Sequence, residues 1–268
     1  MTDTRIPEGV REPADPGALA ARLQPLDGRL VVLDFDGVLA PLVDRPDDAR
    51  PSPGALEAID ALLGRCTVAV VSGRPLADLR PRLGGRPVIL AGAHGAEIEH
   101  ADGHVEHLVH AAEVVGTLDE AAAAIERLLE DAPGWFVERK PTAIAVHHRL
   151  VADDDVDERL PRVQATMEHL RARPPGFEVL HGKAVIELRP GGVDKGAALV
   201  RILAGSGSRE PIVLGDDVTD EDAFRAVGDH RGVAILVADE PRPTAADARL
   251  TDPTAVVSFL TALVPPES

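Results

Sequence analysis

The apolar positions of this chain come in short unbroken runs, and several runs stop at residues that carry chemistry. Leu30-Val31-Val32-Leu33 ends in Asp34 and predicts a strand buried on both faces. Ser52-Pro53 offers an N-cap and a first helical residue, after which Leu56, Ile59, Leu62 and Leu63 fall at helical spacing. Residues 67–71 predict a second buried strand, 75–83 a second short helix and 87–91 a third strand. Strand, helix, strand, helix, strand, with the strands apolar throughout, is the rhythm of a parallel doubly wound sheet.

After Glu99 the rhythm changes. Residues 104–109 alternate like a polar strand, and 112–130 form an amphipathic helix with Val115, Leu118, Ile125 and Leu129 on one stripe, stopped by Pro133-Gly134. Residues 135–140 and 142–149 alternate as strands covered on one face do, 153–171 predict another helix, and 177–180 and 184–188 two more strands. An antiparallel sheet backed by helices is expected there. From Asp194 the buried rhythm returns: a helix at 197–203, a strand at 211–214 ending in Gly215-Asp216-Asp217, a helix capped by Thr219 with Asp220, Glu221 and Asp222 in its first turn, a strand at 233–237 and a helix at 253–263. The first residues are polar and Pro/Gly-rich up to Pro16, with a short apolar helix within 18–23, and read as a loosely tethered arm. The expected division is an arm at 1–28, an α/β core at 29–103 and 192–268, and an inserted α+β domain at 104–191. No repeat or low-complexity tract interrupts it.

Composition narrows the function. The 268 residues suffice for a core carrying a smaller domain, and 44% hydrophobic with 27% charged residues is ordinary for a globular protein. With no Tyr and one Trp, the core must be built from Val, Leu, Ile and Ala, and no aromatic platform for single-stranded nucleic acid is available. A formal charge of −17 argues against nucleic acid and anionic membrane as partners. The same charge would repel a phosphorylated substrate unless a divalent cation reversed it locally. The single Cys66 excludes an internal disulfide and a thiolate metal cluster. No run has the character of a signal peptide or membrane span, so a cytoplasmic protein is expected.

Three buried strands end in capable residues: Asp34-Phe35-Asp36-Gly37, Ser72-Gly73-Arg74 and Gly215-Asp216-Asp217. In open α/β sheets ligands bind outside the carboxyl ends of strands, so these groups are expected to converge. Clustered carboxylates repel one another, and a hard cation with oxygen ligands removes that cost; Mg²⁺ suits it. An aspartate beside such a cation stays ionised and can attack phosphorus. Lys195, at a predicted helix start, can neutralise phosphate oxygens, and Ser72 can donate a hydrogen bond to the transferring group. Asp44, Asp47 and Asp48 are read as turn or cap residues instead.

At this point the residues resemble the haloacid dehalogenase superfamily of phosphotransferases. Asp34-Phe35-Asp36-Gly37-Val38 looks like its first motif, Ser72 its second, Lys195 its third and Gly215-Asp216-Asp217 its fourth, in the right order. The resemblance implies a Rossmannoid core with Asp34 as nucleophile and Asp36 as general acid and base. It also implies Mg²⁺ held by the Asp34 side chain, the Asp36 backbone carbonyl and Asp216, and an inserted domain of the type-two cap kind. Within the superfamily the chain is similar to the trehalose-6-phosphate phosphatases from about Leu30 to the last helix. The similarity rests on Val71-Ser72-Gly73-Arg74, on Gly92-Ala93-His94-Gly95-Ala96-Glu97 (Ala93 standing where Asn is commonest), on Glu138-Arg139-Lys140-Pro141, on 182–190 and on 215–221. It implies a phosphorylated disaccharide as substrate and substrate contacts from Gly73, Arg74, His94, Glu138, Lys140, Lys183 and Glu187; a monomer is expected. Spacing adds its own support, since Glu138 and Lys140 project from one face of a strand, as do Lys183, Glu187 and Arg189. Such a face suits hydrogen bonding to sugar hydroxyls. A merely solvated face is the reading taken for Arg189 and stays open for Lys183, while His147 and His148 are left between a site role and a strand edge. A phosphatase for mannosylglycerate or sucrose phosphates, and a silent interaction module, are the alternatives.

Overall fold

The structure, a computed structural model, describes residues 12–140, 142–182 and 184–264. In chain order the first segment carries helix α1 (Pro16–Arg22), strand β1 (Leu30–Leu33), helix α2 (Ala55–Leu63), β2 (Thr67–Val71), α3 (Leu76–Arg82), β3 (Ile89–Gly92), β4 (Glu97–Glu99) and β5 (Val105–His107). The middle segment carries α4 (Ala111–Leu128), β6 (Phe136–Arg139), β7 (Ile144–His147), α5 (Asp153–Leu170), β8 (Phe177–Gly182) and β9 (Val185–Pro190). The last carries α6 (Lys195–Ser206), β10 (Pro211–Gly215), α7 (Glu221–Gly228), β11 (Val233–Val237), β12 (Ala248–Leu250) and α8 (Pro253–Leu263). The described chain separates into two units, one built up to Glu106 and again from Asp194, the other from His107–Val193.

The first unit is an eight-stranded sheet in the order β12-β11-β10-β1-β2-β3-β4-β5. From β12 to β3 every pairing is parallel. That agrees with strands such as β1 and β10, which are buried along their whole length. The chain leaves β1 for β2 and β3 on one side and returns beside it as β10 on the other. The carboxyl end of β1 is therefore the point where strand order reverses, the usual ligand crevice of such sheets. Register there sets Leu33 against both Leu214 and Val70.

Four differences from the sequence reading have local causes. The residues read as a loose arm are docked from Asp15 onward, its first eleven lying outside the described residues. Asp15 caps α1, Pro16 opens it, and Leu19, Ala20, Leu23 and Leu26 are buried in one cluster with Val256, Phe259, Leu260 and Leu263 of α8. Each such leucine contributes roughly 1.5–3 kcal/mol by burial, which the Pro/Gly-rich surroundings obscured. Second, α2 is capped by Gly54, not Ser52, whose amide and carbonyl instead close a turn with Leu39 and Ala55. Third, Thr219 sits inside a 3₁₀ turn, Val218–Asp220, and the cap is a reciprocal pair between Asp217 and Asp220. Fourth, the strand expected at 104–109 in the inserted sheet is β5, at the edge of the large sheet; alternation marks a half-covered strand without naming its partner. The short strands β4 and β12 have no counterpart in that reading.

The second unit is an antiparallel sheet in the order β6-β7-β9-β8. Helices α4 and α5 cover one face, where Val114, Leu118 and Ile125 and Val163, Met167 and Leu170 meet Ile144, Val146, Ile186 and Leu188. No described helix is long and apolar enough to cross a membrane.

Candidate active site

Asp34 follows the last residue of β1 and is held in the sheet by its amide, which donates to Leu214 O at 3.1 Å. One carboxylate oxygen accepts from the Phe35 amide at 2.6 Å, the other from Lys195 Nζ at 2.7 Å. Lys195 is the first residue of α6, whose cap Asp194 accepts from Ala197 N. Only 3% exposed, Lys195 also donates to Asp220 Oδ1 at 2.7 Å. The second oxygen of Asp220 accepts from the amides of Asp216 and Asp217, at 2.9 and 3.0 Å, and so shapes the loop after β10. Gly37 turns with φ 75°, and a Cβ there would overlap the Asp216 carboxylate, so the two loops close on each other only with glycine at this position.

One carboxylate oxygen from each of Asp34, Asp216 and Asp220 lies within 4.8 Å of the others. Three carboxylates thus stand beside the ammonium of Lys195, a formal surplus of two negative charges among these described side chains. Burial pushes Asp34 above the usual carboxylate range; Lys195 opposes this and Asp220 adds to it. Asp216 is pushed up by burial and then by Asp34 and Asp220. Lys195 stays charged, because the pull of Asp220 and Asp34 outweighs the burial that favours its neutral form. The donor set is oxygen throughout and short of positive charge, which fits a hard dication such as Mg²⁺. Asp220, read from sequence as a helix-start acid, is the member of this cluster that sequence reasoning missed; its four-residue offset from Asp216 within the motif is the signal.

The Asp36 carboxylate is not a member of that cluster. It is gripped by Arg74, Nε to Oδ2 at 2.6 Å and Nη2 to Oδ1 at 2.8 Å. Arg74 also donates to Asp78 at 2.6 Å and to Pro46 O at 2.8 Å. Expected from sequence to contact substrate, Arg74 commits its guanidinium to protein acceptors. Ser72 is buried at the end of β2, where its Oγ accepts from Arg74 N and its carbonyl accepts from His94 N at 2.9 Å. His94 is buried in a left-handed conformation and lies over Gly73, where a Cβ would stand 2.7 Å from its Nε2. Ser72, Gly73 and His94 therefore form one packed strand-end element.

In the second unit, register aligns Glu138, Ala145, Glu187 and Leu180 across the sheet. Lys140 donates to Glu187 at 2.6 Å, and Glu138 pairs with His147 Nε2 at 2.8 Å. The hydrogen bond from His147, and then Lys140, hold Glu138 below the ordinary glutamate range. Arg139, on the opposite face, reaches Glu126 and Asp119 of α4. Arg189 is not solvated as expected: it is 3% exposed and paired with Glu178 at 2.7 Å. Lys183 lies outside the described residues. His147, left undecided by the sequence, joins this face through Glu138 and through its ring, 5.7 Å from that of Phe136.

Comparison with known proteins follows the same lines. The trehalose-phosphatase family model matches residues 32–254. The trehalose-phosphate phosphatase of Mycobacterium tuberculosis is 43% identical over 238 residues, covering 85% of this chain and 59% of its own length. The chain thus spans about three fifths of that curated relative. Among solved structures, the C-terminal domain of the Candida albicans trehalose-6-phosphate phosphatase superposes with a TM-score of 0.83 at 25% identity, covering 96% of this chain and 99% of that one. A haloacid dehalogenase-like hydrolase from Bacteroides thetaiotaomicron shares the fold, with a TM-score of 0.62 at 18% identity over 87% of this chain and 98% of its own. On the match of motifs, geometry and sequence, the chain belongs to the trehalose-phosphatase family.

Proposed function

We propose that this chain hydrolyses trehalose 6-phosphate to trehalose and inorganic phosphate, with Asp34 as nucleophile. The observation that carries the reading is the buried Lys195 bridging Asp34 and Asp220 inside a three-carboxylate cluster at the sheet's reversal point. A carboxylate oxygen of Asp34 attacks phosphorus, and the bond to the sugar oxygen breaks as that oxygen takes a proton from Asp36. Asp36, then ionised, removes a proton from water, whose oxygen attacks the aspartyl-phosphate and regenerates Asp34. Lys195 and Ser72 stabilise charge on the phosphoryl oxygens. Asp34, Asp216 and the Asp36 carbonyl, with Asp220 alongside, would hold Mg²⁺, which when bound neutralises the phosphoryl group and keeps Asp34 ionised.

The second unit is proposed to act as a cap that reads the sugar with Glu138, Lys140, Glu187 and Lys183. A cytoplasmic monomer using Mg²⁺ completes the proposal. Phosphate release measured over a panel of sugar phosphates, with Mg²⁺ and with excess chelator, tests it. Release from trehalose 6-phosphate above the other sugars, abolished by chelation, is expected; no release from it, or full turnover in chelator, overturns the reading.

A further inference from the structure

We propose that Arg74 is a positioning residue for Asp36, fixing where the acid–base carboxyl stands, and is not a substrate ligand. The inference rests on the phosphatase reading above and deepens it.

Four of the five N–H donors of Arg74 are in use: two on the oxygens of Asp36, one on Asp78 and one on Pro46 O. A phosphoryl group would have to displace at least one of these acceptors to gain a two-point grip. Arg74 is 9% exposed, and its guanidinium carbon stands 5.4 Å from the centre of the ring of Phe35, the residue just before Asp36. It is braced from behind. Asp78 also accepts from Arg82, at 3.0 and 2.8 Å, and Arg82 donates to Ala49 O at 2.5 Å. Asp36, Arg74, Asp78 and Arg82 form a chain of alternating charge from the end of β1 to α3, with the loop at 46–49 tied to it.

A fork donating to both oxygens fixes the plane of a carboxylate as well as its position. In the proposed reaction Asp36 must meet the leaving oxygen and later the attacking water at the same place. A carboxyl free to rotate would be aligned for only part of the time. Lysine cannot replace the fork, because one ammonium cannot hold both oxygens in plane.

The experiment measures kcat/KM for phenyl phosphate and 2,4-dinitrophenyl phosphate, which present the same phosphoryl group. Phenolate needs a proton to depart; dinitrophenolate does not. Arg74→Met should lose about a hundredfold or more on phenyl phosphate and stay within about threefold of wild type on the dinitrophenyl ester. Arg74→Lys should recover little of the loss, and Asp36→Asn should show the same leaving-group dependence. Asp78→Asn, which loosens Arg74 from behind, should move in the same direction by a smaller factor and serves if Arg74→Met does not fold. Equal losses on both esters, expressed as a raised KM with weaker inhibition by orthovanadate, would make Arg74 a phosphate ligand and overturn the inference. A wild type that hydrolyses aryl phosphates but not trehalose 6-phosphate would refute the substrate reading alone. A wild type inert toward every phosphate would overturn both.

Discussion

Asp216→Asn should stabilise the metal-free protein and greatly weaken its stabilisation by Mg²⁺. In the folded chain Asp216 offers an oxygen within 4.8 Å of oxygens of Asp34 and Asp220. Two unit charges at that distance repel by about 3.5 kcal/mol at an effective dielectric of ~20. Lys195 offsets part of the sum over both neighbours. Burial and these two carboxylates push Asp216 from 3.8 to about 9, a perturbation of similar size. A carboxyl so perturbed costs the fold on the order of 4 kcal/mol at pH 7. The amide keeps the shape and drops the charge but needs hydrogen bonds of its own, so a net gain of about 1–3 kcal/mol remains. That corresponds to a rise in Tm of roughly 2–10 °C in chelator.

The sign with pH follows from the same raised value. Below about pH 4 both folded and unfolded states hold the proton and nothing is lost; as the unfolded state ionises, stability falls until about pH 9 and then levels. Metal-free wild type should therefore melt lower at pH 8 than at pH 5.5, and Asp216→Asn should show a shallower slope. Mg²⁺ at a hundredfold over its dissociation constant should stabilise wild type by about 2.7 kcal/mol and the variant far less. Thermal melts of both proteins by circular dichroism at both pH values, in chelator and in Mg²⁺, give every midpoint these comparisons need. A variant that melts below wild type in chelator, with an undiminished response to Mg²⁺, would refute the overcharged-cluster account.

Other outcomes follow from the same contacts. Asp34→Asn should abolish phosphate release while the melt in chelator shows a folded protein, since an amide cannot replace the attacking carboxylate; measurable turnover by a pure sample refutes the covalent route. Glu187→Ala or Lys140→Ala removes one side of the 2.6 Å pair in the second unit, and should lower kcat/KM for trehalose 6-phosphate about ten- to a hundredfold; a generic aryl phosphate, assayed in parallel, should be little changed. Leu19→Ala should cost about 2–4 kcal/mol in denaturant melts, because α1 is docked on α8; an unchanged midpoint would restore the loose-arm reading.

What the sequence made legible follows a physical divide. Strands such as Leu30–Leu33 and Pro211–Gly215 are buried on both faces, so an unbroken apolar run announces them, and the residue at which the run stops is the residue at the crevice. Asp34, Ser72 and Asp216 were visible for that reason. Lys195 needed the motif order, because a lysine at a helix start carries no mark of burial. The pairings between loops were not visible. Nothing near Arg74 in sequence says that its partners are Asp36, 38 residues away, and a carbonyl 28 residues away. The resemblance implied a substrate contact for Arg74, whose donors the fold commits to Asp36, Asp78 and Pro46 O. A guanidinium can grip a phosphoryl group or a neighbouring carboxylate equally well, and only geometry separates the two uses. Asp220 illustrates the converse: an acid in a first helical turn is ordinary by helix-dipole reasoning, yet the fold places both its oxygens in service, one on Lys195 and one on the two amides that shape the Asp216 loop. Local pattern thus located the strand ends, and non-local contact decided which of the acids and bases there are positioned by which. The setting of Asp36 is the feature of this site to be sought in contacts across the sheet, since the motif that contains it is silent about its partners.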